Sequence, residues 1–395
     1  MKSKSRLGLF YPIKVFKYNN IYYVNDFIKS YLHNISPHFK SIVAFTNVKY
    51  TEDLLKVCEL VKLEKMELEK MNIDIIELPY FETTAQAYKK YQLIKNLLYS
   101  NKEKFDKLFF RYPGPFLLLF SKFCLRNNKS LYLDIVGNPI KLLKSIEFSF
   151  INIFKLFILY FERTYIKSIS KKITIFTCGN ELFNIFNNDS TVYKIVSTTI
   201  DKINKKNNYS FNSSEIKLVT VSYIRQEKRI ENLLEVCKVL KEMNRPITLE
   251  IIGPYNDSSA YFKNLIKLIT KYNLNENIIF HGYKNHDEIK KIFVGNDVFV
   301  FSSSSEGTPR VIFEAMANGL PVISTNVGGI SDMIYDGYNG FLVNPKDIKG
   351  MCDKILKIYT EKSIYSKFVE NGYNFVNEHT TYKLCNNICK IINKS

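Results

Sequence analysis

Short apolar runs rich in β-branched and aromatic residues alternate with longer amphipathic stretches along the whole chain. This alternation is typical of a parallel sheet with helices on both faces. In the first half it predicts strands at residues 7–10, 41–45, 73–78, 107–111, 130–136 and 173–177. In the second half it predicts strands at residues 216–221, 247–252, 277–280, 298–301, 321–324 and 341–343. The sequence therefore predicts an α/β protein built from two doubly wound domains.

A polar run rich in Asn and Ser, residues 201–214, separates the two halves. It has no apolar period, so we interpret it as a linker. A chain of 395 residues also exceeds what one hydrophobic core usually supports. We expect an N-terminal domain at 1–205, a C-terminal domain at 206–375, and a terminal helical segment at 376–395 that packs back on the first domain. A cleft between two such domains is a natural ligand site.

The charge is unevenly distributed. Of the net +18, residues 1–200 contribute +13, with 30 basic against 17 acidic side chains. Such a field suits an anionic membrane surface or phosphorylated substrates, although a composition rich in Lys, Asn and Ile raises the charge without any function. The seven scattered cysteines form no zinc motif and indicate reduced thiols. We expect a cytoplasmic protein with no nucleic-acid partner.

An aromatic, apolar run at residues 148–161 is flanked by basic side chains, namely Lys141, Lys144, Arg163, Lys167, Lys171 and Lys172. The apolar stretch 146–161 around it carries Glu147 and Lys155 and falls short of the roughly 20 uncharged residues of a spanning helix. Two interpretations stay open. The run is either a helix that lies on an anionic membrane surface, which would make the protein peripheral on the inner face of the plasma membrane, or a core helix of the first domain.

The strongest chemical signal is the stretch from Ser302 to Glu314. A predicted strand at 298–301 leads into a Ser-rich loop and then into a helix, with Pro309 suited to its first turn. Loops at the carboxyl ends of parallel strands bind ligands, and helix N-termini favour phosphate. Glu306 stands in the loop and Glu314 about a turn into the helix, so their carboxylates could bind different hydroxyls of one extended ligand. Alone, two glutamates at this spacing also fit a solvated helix face.

The segment Glu306-Gly-Thr-Pro-Arg-Val-Ile-Phe-Glu314-Ala-Met-Ala-Asn-Gly-Leu-Pro-Val322, with Asn326-Val-Gly-Gly-Ile330 and Asp336-Gly-Tyr-Asn-Gly-Phe-Leu-Val343, resembles family 4 of the retaining glycosyltransferases. The resemblance covers about residues 216–345. It implies a GT-B fold of two Rossmann-like domains, a nucleotide-sugar donor bound by the C-terminal domain, an acceptor bound by the N-terminal domain, and no metal ion or other cofactor.

On this template Glu306 would contact hydroxyls of the donor sugar, Glu314 the ribose, and Gly307 and Thr308 the sugar through backbone groups, with Pro309 beside them. Gly253, after the second strand of the domain, is a further donor-side candidate.

The template also has a glycine followed by an arginine, and a lysine five positions later, to hold the diphosphate. This chain keeps Lys228 but has Ser222 and Tyr223 at the first two positions. Arg225 or Arg229 could supply the missing charge. Lys228 and Arg225 join Glu306 as the candidate catalytic residues, and Tyr223 counts as a donor-side candidate.

Three residues after predicted strands of the first half are acceptor-side candidates: Arg111, Asp134 and Asn138. Turn and capping roles explain them equally well. The five histidines, His33, His38, His281, His286 and His379, are best explained as structural residues.

The resemblance implies transfer of a sugar, with retention at the anomeric carbon, to a glycan or lipid-linked sugar acceptor in bacterial surface polysaccharide synthesis. Two alternatives stay open. One is a GT-B epimerase or phosphorylase, although no pyridoxal lysine signature of a phosphorylase is present. The other is a catalytically silent basic binding module, which the departure at Tyr223 and the weak resemblance of the first half would favour.

Overall fold

The computed structural model describes residues 4–53, 63–144, 150–187, 191–196, 198, 200, 201, 203 and 215–394. Most of the predicted linker and the predicted boundary at 205/206 lie outside the described residues. Chain contacts divide the protein into two units. The N-terminal unit comprises Met1–Ser197 and Thr381–Ser395, and the C-terminal unit comprises Thr198–Thr380.

The described strands of the N-terminal unit are β1 Arg6–Tyr18, β2 Ile21–Asn25, β3 Ser41–Tyr50, β4 Leu63–Lys65, β5 Ile73–Leu78, β6 Lys107–Tyr112, β7 Ser130–Ile135, β8 Thr174–Cys178 and β9 Val192–Ile195. Its described helices are α1 Asp26–Ile35, α2 Leu68–Met71, α3 Thr84–Lys89, α4 Tyr91–Ser100, α5 Leu117–Arg126, α6 Pro139–Lys144, α7 Phe150–Ile169 and α8 Asn180–Phe186. The parallel part of the sheet has the order β5-β3-β1-β6-β7-β8-β9. Strand β1 lies between β3 and β6, so the order runs from β1 through β3 to β5 on one side and from β6 to β9 on the other. The strand order therefore reverses at β1, as in Rossmann folds.

Strand β1 is much longer than the predicted 7–10. Its first part pairs with β3 and β6, and after a register shift between Phe10 and Lys14 it continues beside β3 and turns back into the antiparallel strand β2. Asn19 and Asn20 form the turn, both with positive φ (46° and 60°), which is the conformation that tight hairpins require and asparagine tolerates. The Asn-Asn pair between aromatic strand residues was a hairpin signal that the sequence analysis missed.

The C-terminal unit contains six parallel strands among its described residues: β10 Ile216–Val221, β11 Ile247–Ile252, β12 Ile278–Gly282, β13 Val298–Phe301, β14 Val322–Thr325 and β15 Phe341–Val343. The helices described with them are α9 Ile230–Glu242, α10 Ala260–Lys271, α11 His286–Val294, α12 Arg310–Ala317, α13 Ile348–Thr360 and α14 Lys362–Glu378. The sheet order β12-β11-β10-β13-β14-β15 reverses between β10 and β13. The predicted class of two doubly wound Rossmann-like domains is confirmed.

All twelve predicted strands are present, and β2, β4 and β9 are additional. The last helix, α15 Thr381–Lys394, belongs to the N-terminal unit. Cys385, Ile388, Cys389 and Ile392 of α15 lie in the same buried cluster as Tyr31 of α1, and the Tyr132 hydroxyl donates to the Ile392 carbonyl at 3.1 Å. The return to the N-terminal unit thus starts at Thr381, because α14 packs within the C-terminal unit.

The two units are filled differently. One face of the N-terminal sheet packs on an aromatic cluster that includes Phe10, Phe45, Phe110 and Phe120, with the Phe10 and Phe110 rings stacked at 4.7 Å between centroids. The core of the C-terminal unit is mainly aliphatic. Six of the seven cysteines lie in the described residues, all as buried free thiols, and Cys58 lies outside them.

Candidate functional site

The reversal of strand order in the C-terminal unit creates the best ligand position within that unit. Strands β10 and β13 are hydrogen-bonded neighbours. After β10 the chain continues to β11 on one side of this pair, and after β13 it continues to β14 on the other side. The loops that follow them, residues 222–229 and 302–309, therefore border one crevice, as at the ligand sites of other open α/β sheets. Every candidate predicted from the Ser302–Glu314 stretch, together with Tyr223, Arg225 and Lys228, lies on these two loops or on the first turns of α12.

Side-chain and backbone hydrogen bonds tie the two loops together. The Ser302 hydroxyl donates to the carbonyls of Lys228 and Arg229, at 3.0 and 2.8 Å. The Ser304 amide and hydroxyl both donate to the Glu227 carbonyl, at 2.8 and 3.0 Å. The Ser-rich run thus holds the two loops together by hydrogen bonds, so one wall of the crevice is preorganised. The sequence alone does not predict this role for the serines.

The centre of the site is an ion pair between the loops. Lys228 Nζ lies 2.5 Å from Glu306 Oε1, and their side chains are 19% and 10% exposed. The Ser303 hydroxyl donates to the same Glu306 oxygen at 2.6 Å, and Lys228 Nζ also lies 5.7 Å from the centre of the Phe301 ring. An ammonium has three N–H donors, so Lys228 can bind Glu306 and still donate to oxygen atoms of a ligand.

Two glycines outside the predicted site fix the position of the Glu306 loop. At Gly328 (φ +57°) an added Cβ would lie 1.8 Å from the Glu306 carbonyl oxygen, and at Gly329 it would lie 2.5 Å from the Gly307 carbonyl oxygen. The Gly329 amide donates to that Gly307 oxygen at 2.9 Å. Both glycines belong to the motif that carried the family resemblance, and their close approach to the loop gives it a physical reason.

The candidate glycines Gly253 and Gly307 differ in their surroundings. At Gly253 (φ +141°) an added Cβ would lie 1.9 Å from the Ser222 carbonyl oxygen, so packing against the β10 loop explains this glycine. At Gly307 an added Cβ would meet no atom within 4 Å. Packing places no demand on Gly307, and the space beside it is open to a ligand.

Glu314 lies in α12, which begins after Pro309 at its N-cap position. Its side chain is 15% exposed, and one carboxylate oxygen lies 3.7 Å from His286 Nδ1 at the start of α11. Burial raises the pKa of the Glu314 carboxyl, and His286 and Arg310 oppose that shift. The sequence predicts structural roles for all five histidines. That view fits His281, which binds Glu250 at 2.5 Å, but His286 is exposed beside a candidate site residue.

Tyr223 and Arg225 form a pair on the β10 loop. The Arg225 guanidinium lies 4.9 Å from the centre of the Tyr223 ring, and the ring is 57% exposed. Arg229 points elsewhere, since its Nη1 lies 3.3 Å from Glu231 of α9. Of the two arginines considered for the missing charge, Arg225 is therefore the exposed one.

The acceptor-side candidates lie at the carboxyl edge of the N-terminal sheet. Arg111 on β6 and Asp134 on β7 are register partners, and Arg111 Nη1 lies 3.1 Å from Asp134 Oδ2. Asp134 is fully buried and its second oxygen, Oδ1, has no hydrogen-bond partner. Burial raises the pKa of the Asp134 carboxyl, and Arg111 opposes the shift. Asn138 accepts from the Lys141 amide at 3.3 Å and donates to Glu181 at 2.9 Å, as a capping residue does.

Among the described residues, no group of three or more His, Cys, Asp or Glu side chains is arranged to hold a metal ion. Within the same residues, no helix combines the length and hydrophobicity needed to cross a membrane.

The two strand orders are those of the GT-B fold. Residues 201–375 match the family described as "Glycosyl transferases group 1". The C-terminal unit is therefore similar to this family of glycosyltransferases, and the chain has the GT-B fold, as the sequence predicts.

Named relatives share moderate identity with the chain. N-acetyl-alpha-D-glucosaminyl L-malate synthase of Bacillus anthracis is 25% identical over 193 residues, which are 48% of this chain and 49% of that protein. Capsular polysaccharide biosynthesis glycosyltransferase CapM of Staphylococcus aureus is 25% identical over 265 residues, 60% of this chain and 66% of that protein. HepE of Anabaena in complex with UDP has the same fold, with a TM-score of 0.67 at 14% identity over 99% of this chain and 100% of HepE.

Proposed function

We propose that the protein transfers a sugar from a nucleotide-sugar donor to a hydroxyl of a glycan or lipid-linked sugar, with retention at the anomeric carbon. The observation that carries this proposal is the Lys228–Glu306 pair at the strand-order reversal of the C-terminal unit. It places a cation and a carboxylate side by side in a crevice where α/β proteins bind ligands. A nucleotide-sugar has both matching groups, a diphosphate for the cation and hydroxyls for the carboxylate.

The donor would extend along the loop and helix that carry the two glutamates. Glu314 would accept hydrogen bonds from the ribose, and Glu306 from the sugar. Gly307 and Thr308 would contact the sugar through backbone groups, because the space beside Gly307 is open. Lys228 would donate to the diphosphate with the N–H groups that do not face Glu306, and Arg225 would approach the diphosphate from the exposed side of the loop.

The chemistry would need no protein base. The bond from the anomeric carbon to the phosphate oxygen breaks while the acceptor hydroxyl attacks the same face, and the departing phosphate takes the hydroxyl proton. Negative charge then grows on the diphosphate. Preorganised donors aimed at developing charge are the largest single contribution to many enzymatic rates. Lys228 suits this role because the Glu306 contact and the hydrogen bonds between the two loops hold it in place, and no metal ion would be required.

The acceptor side is assigned to the N-terminal unit. Arg111 and Asp134 would help to shape the acceptor site, and Asn138 would border it. CapM is named for capsular polysaccharide biosynthesis, which supports a role for this chain in making a bacterial surface polysaccharide. We place that role in the cytoplasm, at the inner face of the plasma membrane, where lipid-linked acceptors are available.

A donor scan tests the proposal. The purified full chain would be incubated with UDP-, GDP- and ADP-sugars, with and without EDTA, and the released nucleotide and the sugar products would be identified. We expect slow donor hydrolysis for one nucleotide class, unaffected by EDTA and faster with the correct acceptor. A changed sugar still attached to its nucleotide would indicate an epimerase. Tight nucleotide binding without any turnover would indicate a binding module, and either result would overturn the proposal.

A further inference from the structure

Helix α7, Phe150–Ile169, presents one face to the N-terminal unit. Ile166 and Ile169 on that face are buried in the aromatic cluster that covers the sheet. Glu162 is also buried, and its carboxylate accepts a hydrogen bond from the Tyr112 hydroxyl at 2.9 Å. The inner face therefore anchors the helix firmly.

The outer face of α7 is apolar and open to solvent. Phe154, Phe157 and Phe161 are 66%, 71% and 53% exposed. Their spacing of three and four residues places them on one stripe of the helix. Ile153, Ile158 and Tyr160 beside them are also exposed. Soluble proteins rarely leave such a contiguous aromatic surface uncovered unless it binds something. From the sequence, this run fits a core helix or a membrane-surface helix, and the exposed stripe shows that its outer face is not part of the core.

The charges around the stripe are of one sign. Lys155 and Lys167 on the helix are exposed, and so are Lys171 and Lys172 just beyond its end. Glu162 is the only acidic residue in the helix sequence, and it points inward to Tyr112. A basic, aromatic surface of this kind fits anionic lipid, whereas a second copy of the chain would bring like charges together.

We propose that the outer face of α7 seats the N-terminal unit on an anionic membrane surface, with the phenylalanines in the interface and the lysines among lipid headgroups. This face of α7 would make the membrane contact that the proposed peripheral location requires. Such docking also implies that a lipid-linked acceptor would reach the N-terminal unit from the bilayer, and that step alone rests on the proposed function. Docking itself needs no transferase activity.

Sedimentation of the full chain with vesicles tests the docking. We expect binding to vesicles that contain phosphatidylglycerol, weak binding to pure phosphatidylcholine, and loss of binding as NaCl rises from about 0.05 to 0.5 M, which shortens the screening length several-fold. Phe154→Ser and Phe157→Ser should each weaken binding about tenfold. Lys171→Ala and Lys172→Ala should each weaken it about fivefold at low salt. Tyr382→Ser, which removes an exposed aromatic ring from α15, is the matched control and should bind normally.

Three outcomes would overturn the proposal. The first is no binding to anionic vesicles at low salt, and the second is binding that survives the double change Phe154→Ser and Phe157→Ser. The third is concentration-dependent dimerisation without vesicle binding, abolished by the same changes, which would make the face an interface between copies. Donor hydrolysis without vesicles is measured on every variant. Normal hydrolysis shows that a docking failure is not a folding failure, and it separates the docking proposal from the proposed activity.

Discussion

The two units reverse their strand order at equivalent places but fill those places differently. In the C-terminal unit, β10 and β13 end in two polar loops that bind each other and hold Lys228 against Glu306. In the N-terminal unit, β1 runs past the reversal into a hairpin with β2, and Arg111 and Asp134 form a buried pair beside it. One reversal point is bordered by two loops that carry a charged pair, and the other by a hairpin and a largely buried ion pair.

The same topology is thus built differently in the two units. The walls of the C-terminal crevice are loops in close backbone contact, which the glycines Gly328 and Gly253 permit. That construction suits a donor whose phosphate and hydroxyls need fixed partners. The N-terminal unit keeps a rigid aromatic core and exposes an apolar helix face instead. Under the proposed function, this unit would take the acceptor, which would arrive from the membrane surface.

The largest effect is expected for Lys228→Ala, which removes the cation of the C-terminal crevice and should abolish most of the turnover. Removing one preorganised donor from a developing charge typically costs about a hundredfold or more in turnover, so we expect kcat to fall by at least that factor. The change also leaves Glu306 without its cation, so the melting temperature should fall. Kinetics and thermal melts followed by circular dichroism measure both effects. Lys263→Ala, an exposed lysine of α10, is the control. Transfer at a normal rate by Lys228→Ala would place the phosphate site elsewhere.

The two glutamates should separate turnover from donor binding. Glu306→Gln should lower kcat by roughly ten- to 150-fold, because a contact to a charged group contributes about 1.5–3 kcal/mol. Glu314→Gln should mainly raise the donor Kd, by about tenfold, since it would lie on the ribose side. Initial rates and nucleotide titrations measure these effects. Wild-type values of kcat and KM in both variants would refute the site.

Glu314→Gln should also change how the stability of the protein depends on pH. Burial raises the folded-state pKa of Glu314, so this group favours folding below its unfolded pKa of about 4.3, and that contribution is lost as pH rises through the folded-state pKa. A glutamine does not titrate. The variant should therefore gain stability relative to the wild type between pH 4 and pH 7, as denaturant melts at both pH values would show. A constant difference across that range would contradict the burial argument.

In the N-terminal unit, Asp134→Ala should lower the free energy of unfolding by about 3–5 kcal/mol and leave the chemistry unaffected, because it leaves the largely buried Arg111 guanidinium without its carboxylate partner. The double variant Arg111→Met and Asp134→Leu should recover most of that loss. Acceptor KM measured on the stable double variant then decides the role of the pair. A raised KM with unchanged donor kinetics supports acceptor binding, and an unchanged KM leaves the pair purely structural.

The parts of the molecule that could be predicted are those encoded in continuous sequence. The stretch from Ser302 to Glu314 contains a strand, a loop and a helix start, so its pattern alone predicted the candidate site. Lys228 was reachable only through the family template, since nothing near it in sequence indicates that it meets Glu306, 78 positions away. The approach of Gly328 to Glu306 and the fastening of Ser302 to Lys228 are tertiary contacts that single-sequence patterns do not report.

The N-terminal unit was harder to predict for a physical reason. The pairing of Arg111 with Asp134 depends on the register of two strands, and periodicity does not fix register. The continuation of β1 had a usable local signal in Asn19 and Asn20, whereas β9 is a short edge strand with half-exposed residues. The exposed stripe of α7 could not be told from a core face, because both give the same apolar period.

The smallest expected effect concerns Tyr223 and Arg225, where the chain departs from the family pattern. An exposed guanidinium stacked on a tyrosine ring gains little from its surroundings, about 0.5–1 kcal/mol, so Arg225→Ala should lower kcat only about two- to fivefold. If Arg225 replaces the missing arginine, Tyr223→Arg in the Arg225→Ala background should restore turnover, because it returns the charge to the template position five residues before Lys228. Initial rates at saturating donor measure each step, with Tyr223→Phe as a control that keeps the ring. A hundredfold loss in Arg225→Ala would give this residue the same weight as Lys228. A wild-type rate in that variant would mean that Lys228 and the helix N-termini meet the diphosphate charge alone, and that the C-terminal crevice works with one cation where the family pattern has two.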